Sequence, residues 1–481
     1  MSNKTISEVV KLKRRLYVEL VKLTAAGKLS EKISELPFQM ITKDSPRYRC
    51  CEFKERAIFT ERIKAALGFS PADTESVKLS ELAEQLLADQ LPKQESIVEV
   101  IATACDRCPI DKYFVTDACR NCVAHKCVNA CPAQAIVIIQ NKAFIDQNKC
   151  IECGRCAAAC SYNAILENQR PCARACAVNA IKADKNRQAK IDSNKCVSCG
   201  SCIEACPFGA IAEKSDLVKV CQHLINPAEK VIAMLAPSFV GQFGFKVSAP
   251  QIKYALKELG FNDVVEVARG ADLVAAAESK ELTEAIEAGQ VLLSSCCTAF
   301  KNMVKNDYSE LAANLSQTNS PMAVAAAEYQ IIDPAAKLVF IGPCTAKKAE
   351  ALNNPDLDYV LTFEELIALV SGFEMNLATV TGKEKIEDAS KLGRQFAYAG
   401  GLENSLAELI EINYKSKQAD GLANCQQELA LIKANRHDYS FLEGMACSGG
   451  CVGGPAAMIN QKAAKKFVND FAIESNLDPA K

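Results

Sequence analysis

The chain has no tryptophan and only three histidines in 481 residues. Imidazole is therefore a minor resource for acid–base or metal chemistry. No apolar run approaches the roughly 20 residues that a membrane-crossing helix needs, so no membrane partner is expected. A net charge of −2 lacks the basic surplus of a nucleic-acid surface. Lys13-Arg14-Arg15 is not followed by an apolar signal core, so no export signal is read and the expected compartment is cytoplasmic. Val9, Val10, Leu16, Leu20 and Leu23 surround that run at helical spacing, which predicts a solvated basic helix face. The glycines near 399–401 lack the spacing of a flavin- or nicotinamide-binding fingerprint.

What is abundant is cysteine, 25 residues of it. Secreted disulfide scaffolds are usually short, and the spacing here points elsewhere. Sixteen cysteines lie between Cys105 and Cys206, many in the C-x-x-C-x-x-C-x-x-x-C rhythm of 4Fe–4S ligation. Four segments end alike: Cys131-Pro-Ala-Gln-Ala-Ile136, Cys160-Ser-Tyr-Asn-Ala-Ile165, Cys176-Ala-Val-Asn-Ala-Ile181 and Cys206-Pro-Phe-Gly-Ala-Ile211. Each resembles half of a bacterial two-cluster ferredoxin, in which the fourth cysteine of one half serves the cluster of the other. That swap groups Cys150, Cys153 and Cys156 with Cys131, and Cys119, Cys122 and Cys127 with Cys160. It groups Cys196, Cys199 and Cys202 with Cys176. Cys172 and Cys206 are left, and Cys105 and Cys108 are available to complete a fourth set. The alternative is a decayed third segment, so three to four accessory clusters are expected. Zinc sites or disulfides are weaker uses of these triads. His125, in the longer gap before Cys127, reads as a loop residue. Adjacent Cys50 and Cys51 read as small buried hydrophobes; Cys221 and Cys425 are unassigned.

The expected organisation is multidomain, α+β and α/β. A helical N-terminal segment spans 1–100, tandem ferredoxin-like domains 101–222, and an α/β domain 223–481. In the last, apolar runs at 230–236, 263–267, 291–293 and 337–341 alternate with helical patterns at 251–259, 273–288 and 322–331, predicting parallel strands covered by helices. Functional loops in such sheets leave the carboxyl ends of strands. Three cysteine loops are candidates for those positions: Ser294-Ser-Cys-Cys297-Thr-Ala-Phe300, Pro343-Cys344-Thr-Ala-Lys347-Lys-Ala-Glu350, and Glu443-Gly-Met-Ala-Cys447-Ser-Gly-Gly-Cys451-Val-Gly-Gly-Pro455. Ala236-Pro237-Ser238 joins them.

These three loops resemble the signatures TSCCPxW, PCxxKxxE and ExMACxxGCxxGG of iron–iron (FeFe) hydrogenases, over about residues 230–470. The resemblance implies an H-cluster: a 4Fe–4S cubane linked through a thiolate to a diiron subsite carrying carbonyl, cyanide and dithiolate ligands. It implies Cys297, Cys344, Cys447 and Cys451 as cubane ligands, with Cys451 bridging. Lys347 would hold a cyanide, with Glu350 as its partner. Cys296 would pass protons, through a relay matched as Glu281, then Ser316, then the outer Glu278. Pro237, Ser238, Ser320, Pro321 and Met445 would line the diiron pocket.

The implied activity is reversible interconversion of protons, electrons and dihydrogen, with a soluble ferredoxin or flavodoxin as electron partner and dedicated maturation proteins to install the H-cluster. A hydrogen sensor or an iron–sulfur scaffold is the alternative; Cys296, absent from such relatives, argues for catalysis. The chain departs from the family pattern at Thr298 and Phe300 (proline and tryptophan are usual), Gly342 (methionine), Met322 (glutamine) and Pro455, which ends the third motif.

Overall fold

A computed structural model describes residues 7–108, 112–382, 384, 386 and 388–477. The ends of the expected 1–100 and 223–481 segments lie outside these. The largest core is built on a four-stranded parallel sheet in the order Asp263–Glu266, Val231–Leu235, Lys337–Gly342, Tyr359–Thr362. Val231–Leu235 is buried at every position, as expected of a strand covered on both faces. A second parallel sheet orders Leu292–Leu293, Phe441–Met445 and Ser416–Asp420. The strands and helices expected near 231, 263, 292, 337, 251, 273 and 322 all form. The edge strand Ser416–Asp420 went unanticipated because its residues, Ser-Lys-Gln-Ala-Asp, are mostly polar.

The N-terminal helix Glu8–Ala25 packs on the helix Phe363–Gly372 and shares the core of the four-stranded sheet. Gly372 makes the approach possible, since a Cβ there would overlap Val21. The basic run at its start is not a solvated face. Lys13 pairs with Glu213 (3.1 Å) and with Glu364, and Arg14 reaches Glu364 at 3.1 Å. Charged groups thus join the helix to both the cysteine-rich region and the α/β domain. Cys50 is exposed and Cys51 half-exposed, so they are not the buried hydrophobes expected. Helix Leu217–Leu224, which crosses the expected boundary between 222 and 223, packs in the core of the sheet.

The expected tandem of ferredoxin units proves to be nested. Val98–Val100 pairs antiparallel with Ile211–Glu213, and Ala189–Ile191 with Ile181–Ala183, forming one unit. Tyr113–Val115 with Ile165–Glu167, and Ile136–Ile139 with Lys142–Ile145, form the other. The second unit is inserted between Cys108 and Cys172 of the first, and Asn168 N–H donates to Lys112 O (2.6 Å) at its neck. Arg170 adds a donation to Cys108 O at 2.7 Å. The C-x-x-C at 105–108 and the C-x-x-x-C at 172–176 thus flank the inserted unit.

Candidate active site

Both parallel sheets aim their carboxyl ends at one place. Ser238 follows strand Val231–Leu235 and Cys344 follows Lys337–Gly342, both from the four-stranded sheet. Cys296 and Cys297 follow Leu292–Leu293, and Cys447 and Cys451 follow Phe441–Met445, from the three-stranded one. Cys297, Cys344, Cys447 and Cys451 face one another: burial, and then the neighbouring thiols of this set, push the pKa values of Cys344, Cys447 and Cys451 up. Ala446 N–H donates to Cys297 Sγ at 3.4 Å. Among the described residues no three ligating side chains converge on a single ion; thiolates on a cubane stand at its corners instead.

The glycines of the third loop are there for space. Gly450 sits at φ 85°, and a Cβ there would lie 2.5 Å from Ala399 N; one on Gly454 would lie 2.8 Å from Pro343 O. Phe300, fully buried, lies over Gly444, whose added Cβ would overlap its ring. Glu443 is a residue whose role the sequence did not disclose. Its carboxylate accepts from Gly400 N–H (2.8 Å) and Glu403 N–H (2.9 Å), capping the helix Gly401–Leu409 beneath the third loop. Burial pushes its pKa up to about 7, against those two amide donations. The Gly400-Gly401 pair was the only visible signal.

Two consecutive lysines follow Cys344, and the helix separates them. Lys348 turns away to Glu365 (2.6 Å) and Lys214 O (2.8 Å). Lys347 turns inward, donating to Glu350 Oε2 at 2.6 Å and Cys296 O at 3.4 Å. Burial pulls the Lys347 pKa down, but Glu350 and the thiols of Cys344 and Cys297 outweigh it and leave it raised. Glu350 is also buried, which opposes its charge; Lys347, Ser320 and Thr298 overcome this and hold its pKa below the usual value. Ser320 Oγ donates to Glu350 Oε1 and Thr298 Oγ1 to Oε2. A polar cavity of about 490 Å³, lined in part by Lys301, Asn319 and Asn353, ends at this carboxylate.

Cys296 is buried and its thiol pKa is pushed well up by burial and then by the nearby carboxylate of Glu278. Of the two acids, Glu278 and not Glu281 lies nearer Cys296, the opposite of the expected placement. Glu278, wholly buried, is the inner acid: Ser295 N–H (3.5 Å) and Oγ (3.4 Å) approach its Oε1. Burial pushes its pKa up to about 7, with Ser316 and Ser295 pulling the other way. Glu281, one helical turn outward, is half-buried and accepts from Thr318 Oγ1 (2.7 Å) and Gln317 N–H (3.0 Å). Ser316, buried, precedes those two residues. Helical spacing put both acids on one face but did not say which end faces the thiol.

The cluster thiols gather in the swapped sets. Cys131, Cys150, Cys153 and Cys156 line one cavity, Cys119, Cys122, Cys127 and Cys160 a second, and Cys105, Cys108, Cys172 and Cys206 a third. Cys202 stands beside Cys199, Cys196 and Cys176. His125 Nε2 is hydrogen-bonded to Asn121 Oδ1 at 3.1 Å.

Residues 229–455 match the family described as iron only hydrogenase large subunit, C-terminal domain. Over these residues the chain belongs to the iron-only hydrogenase family. Residues 111–161 match a 4Fe-4S dicluster domain and 189–212 a 4Fe-4S binding domain. Iron hydrogenase 1 of Clostridium pasteurianum is 31% identical over 390 residues, 67% of this chain and 66% of that protein. The NADP-reducing hydrogenase subunit HndD of Solidesulfovibrio fructosivorans is 27% identical over 300 residues, 49% and 51% respectively. The match thus spans just under two thirds and about half of these relatives. A solved FeFe-hydrogenase of Chlamydomonas reinhardtii shows a partial likeness, with a TM-score of 0.42 and 22% identity over 52% of this chain and 85% of that one.

The residues present fit the group that marks this hydrogenase family. Ser238 Oγ is wholly buried without a hydrogen-bond partner, an orphan donor of the kind that normally has an explanation. It follows the strand beside the one that leads to Cys344, and a ligand with acceptor atoms in the pocket would satisfy it. The buried Lys347 ammonium likewise suits an anionic ligand beyond Glu350. Met445, Ser320 and Met322 are buried around the same loops. Gly342, in place of a methionine, has its missing Cβ blocked by Phe340 and Ala236. No helix among the described residues is long and apolar enough to cross a membrane.

Proposed function

We propose that this oxidoreductase interconverts protons plus electrons with dihydrogen. The observation that carries this reading is a buried thiol, Cys296, with a buried carboxyl, Glu278, behind it and four facing thiols beside it. Cys297, Cys344, Cys447 and Cys451 would hold an H-cluster, with Lys347 and Ser238 as donors to its anionic ligands and Pro237, Pro321 and Met445 shaping the pocket. Once bound, that group supplies the redox chemistry at iron. The chain supplies the proton path. Cys296 gives up and regains a proton at Sγ, Glu278 exchanges it with Cys296, and Ser316 and Glu281 carry it outward. A carboxyl with a pKa near 7 is matched to such exchange. Glu350 holds Lys347 in place and stays charged.

Electrons would move through four accessory 4Fe–4S clusters. Cys199 lies near Cys447, so the cluster of Cys176, Cys196, Cys199 and Cys202 would feed the active site. Cys172 lies near Cys202, which makes the cluster of Cys105, Cys108, Cys172 and Cys206 the next one out. The two clusters of the inserted unit are then outermost. A soluble ferredoxin or flavodoxin would be the electron partner, and maturation proteins would install the diiron subsite. Infrared spectroscopy of anaerobically matured protein tests the reading. Carbonyl and cyanide bands that shift on adding hydrogen are expected; fully loaded cubanes without such bands would overturn it.

A further inference from the structure

The two ferredoxin units carry the same loop twice, once covered and once bare. In the outer unit, Asp146 N–H donates to Ala135 O (2.8 Å) and Cys150 N–H to Asp146 O (3.0 Å). In the inner unit, Asp192 N–H donates to Ala180 O (2.8 Å) and Cys196 N–H to Asp192 O (2.9 Å). The sulfur contacts repeat as well, with Ala135 N–H to Cys131 Sγ at 3.3 Å and Ala180 N–H to Cys176 Sγ at 3.2 Å. So does the unusual backbone: Glu152 and Ser198 have φ of 56° and 54°, and Gly154 and Gly200 have 76° and 80°. The loops at 150–154 and 196–200 are therefore structural copies.

Their surroundings differ. Val197, between Cys196 and Cys199, is 1% exposed and belongs to the apolar cluster that contains Phe300, Ala346 and Leu442 of the catalytic domain. Gly200 is so close to that domain that a Cβ would lie 2.7 Å from Thr345 Oγ1 and 3.0 Å from Pro455 Cγ. Ile151, at the position of Val197, is 63% exposed, and Cys153, at the position of Cys199, is itself exposed. Gly154 meets Tyr113 of its own unit. An isoleucine held out beside an exposed cluster thiol has the form of the inner contact with its acceptor removed.

We propose that the 150–154 loop is the docking site of an external electron-carrying protein, which receives Ile151 in an apolar hollow as the catalytic domain receives Val197. This rests on the cluster assignment of the proposed function. The chain's own interface defines the chemistry of the occupant: a redox protein with a small apolar hollow beside its cofactor. Lys149, Glu152 and Arg155 flank Ile151 with both signs of charge, so the partner's rim is near neutral, and not strongly acidic or basic. A contact centred on one short loop belongs to the small, transient class of interfaces that bury less than about 1,200 Å². In the redox step one electron leaves the carrier's cofactor and reduces the cubane of Cys131, Cys150, Cys153 and Cys156; no bond is made or broken.

The test uses cluster-loaded full-length protein, with Ile151→Glu, Ile151→Val and Phe245→Glu variants. Phe245 is a control, 78% exposed on the catalytic domain. Stopped-flow absorbance follows reduction of the clusters by a prereduced two-cluster bacterial ferredoxin, and separately by methyl viologen. Expected are a tenfold or greater fall in the ferredoxin rate for Ile151→Glu, recovery in Ile151→Val, and unchanged rates for Phe245→Glu. Dye reduction should stay within twofold throughout, and the wild-type ferredoxin rate should change less than threefold between low and high salt. An unchanged ferredoxin rate in Ile151→Glu, or an equal loss in Phe245→Glu, overturns the proposal. So does a wild-type dimer that Ile151→Glu splits without changing the rate, since the occupant is then a second copy. Dye-driven hydrogen formation is scored apart, so failure of the hydrogenase reading is seen separately.

Discussion

Thr298 donates its hydroxyl to Glu350, the carboxylate that holds Lys347 at 2.6 Å. A proline here, usual in the family, has no such group, so this chain has added a donor to a buried ion pair. Hydrogen bonds to charged groups contribute about 1.5–3 kcal/mol. Thr298→Val should therefore loosen Glu350 toward the adjoining polar cavity, move the cyanide infrared bands and lower turnover about tenfold. Thr298→Ser should restore both. Unmoved bands in the valine variant would show that Lys347 is held without this hydroxyl.

Removing Cys296, the thiol proposed to pass protons, should leave the proposed metal site in place. Cys296→Ala is expected to load iron and show carbonyl bands like the parent, with turnover down at least 1,000-fold, a loss of about 4 kcal/mol in transition-state stabilisation. Normal turnover would remove Cys296 from the relay.

The Glu278 carboxyl should titrate near neutrality. Its pKa in the fold, about 7, lies above the ordinary 4.5, so the fold favours the protonated form. That contribution to stability is complete below about pH 4.5 and is lost as pH rises through about 7. Glu278→Gln should flatten the decline in stability between pH 5 and 8 in denaturant titrations. In the parent, a carboxyl C=O infrared band should disappear over the same interval.

A third buried ion pair serves the fold. Arg394 donates to Glu266 through Nε (2.9 Å) and Nη2 (2.7 Å), and to Phe471 O and Ile386 O. Both side chains are 1% exposed. Arg394→Met should strand a buried carboxylate and cost about 3–5 kcal/mol, read as a lower denaturation midpoint with cluster spectra unchanged until unfolding.

The nested topology makes its own prediction. Cys105→Ala and Cys172→Ala, 67 positions apart, should each remove the same four irons and leave the remaining clusters countable by iron assay and electron paramagnetic resonance.

The candidate site was legible because its cysteines sit in short motifs directly after strands, where local sequence and position coincide. Cys297, Cys344, Cys447, Cys451 and the inward choice of Lys347 needed little more. Which acid lies nearer Cys296 was not legible: Glu278 and Glu281 share a helix face, and only packing against Ser295 shows it. Nor was the pairing of Val98–Val100 with Ile211–Glu213, because a three-residue strand carries almost no pattern of its own. The helix Glu8–Ala25 showed an apolar stripe, but its basic residues gave no sign that Glu213 and Glu364 would meet them. Long-range pairings of that kind are invisible to periodicity.

Nesting also sets an order of events during synthesis. The inserted unit, with its neck at Lys112 and Asn168, is complete as soon as residue 168 emerges, and its eight thiols can take up iron at once. Cys105 and Cys108 emerge earlier than any of them and yet must wait until Ile211–Glu213 arrives to close their unit. For about a hundred residues of growth they are a bare dithiol on the nascent chain, open to oxidation or to the wrong cluster.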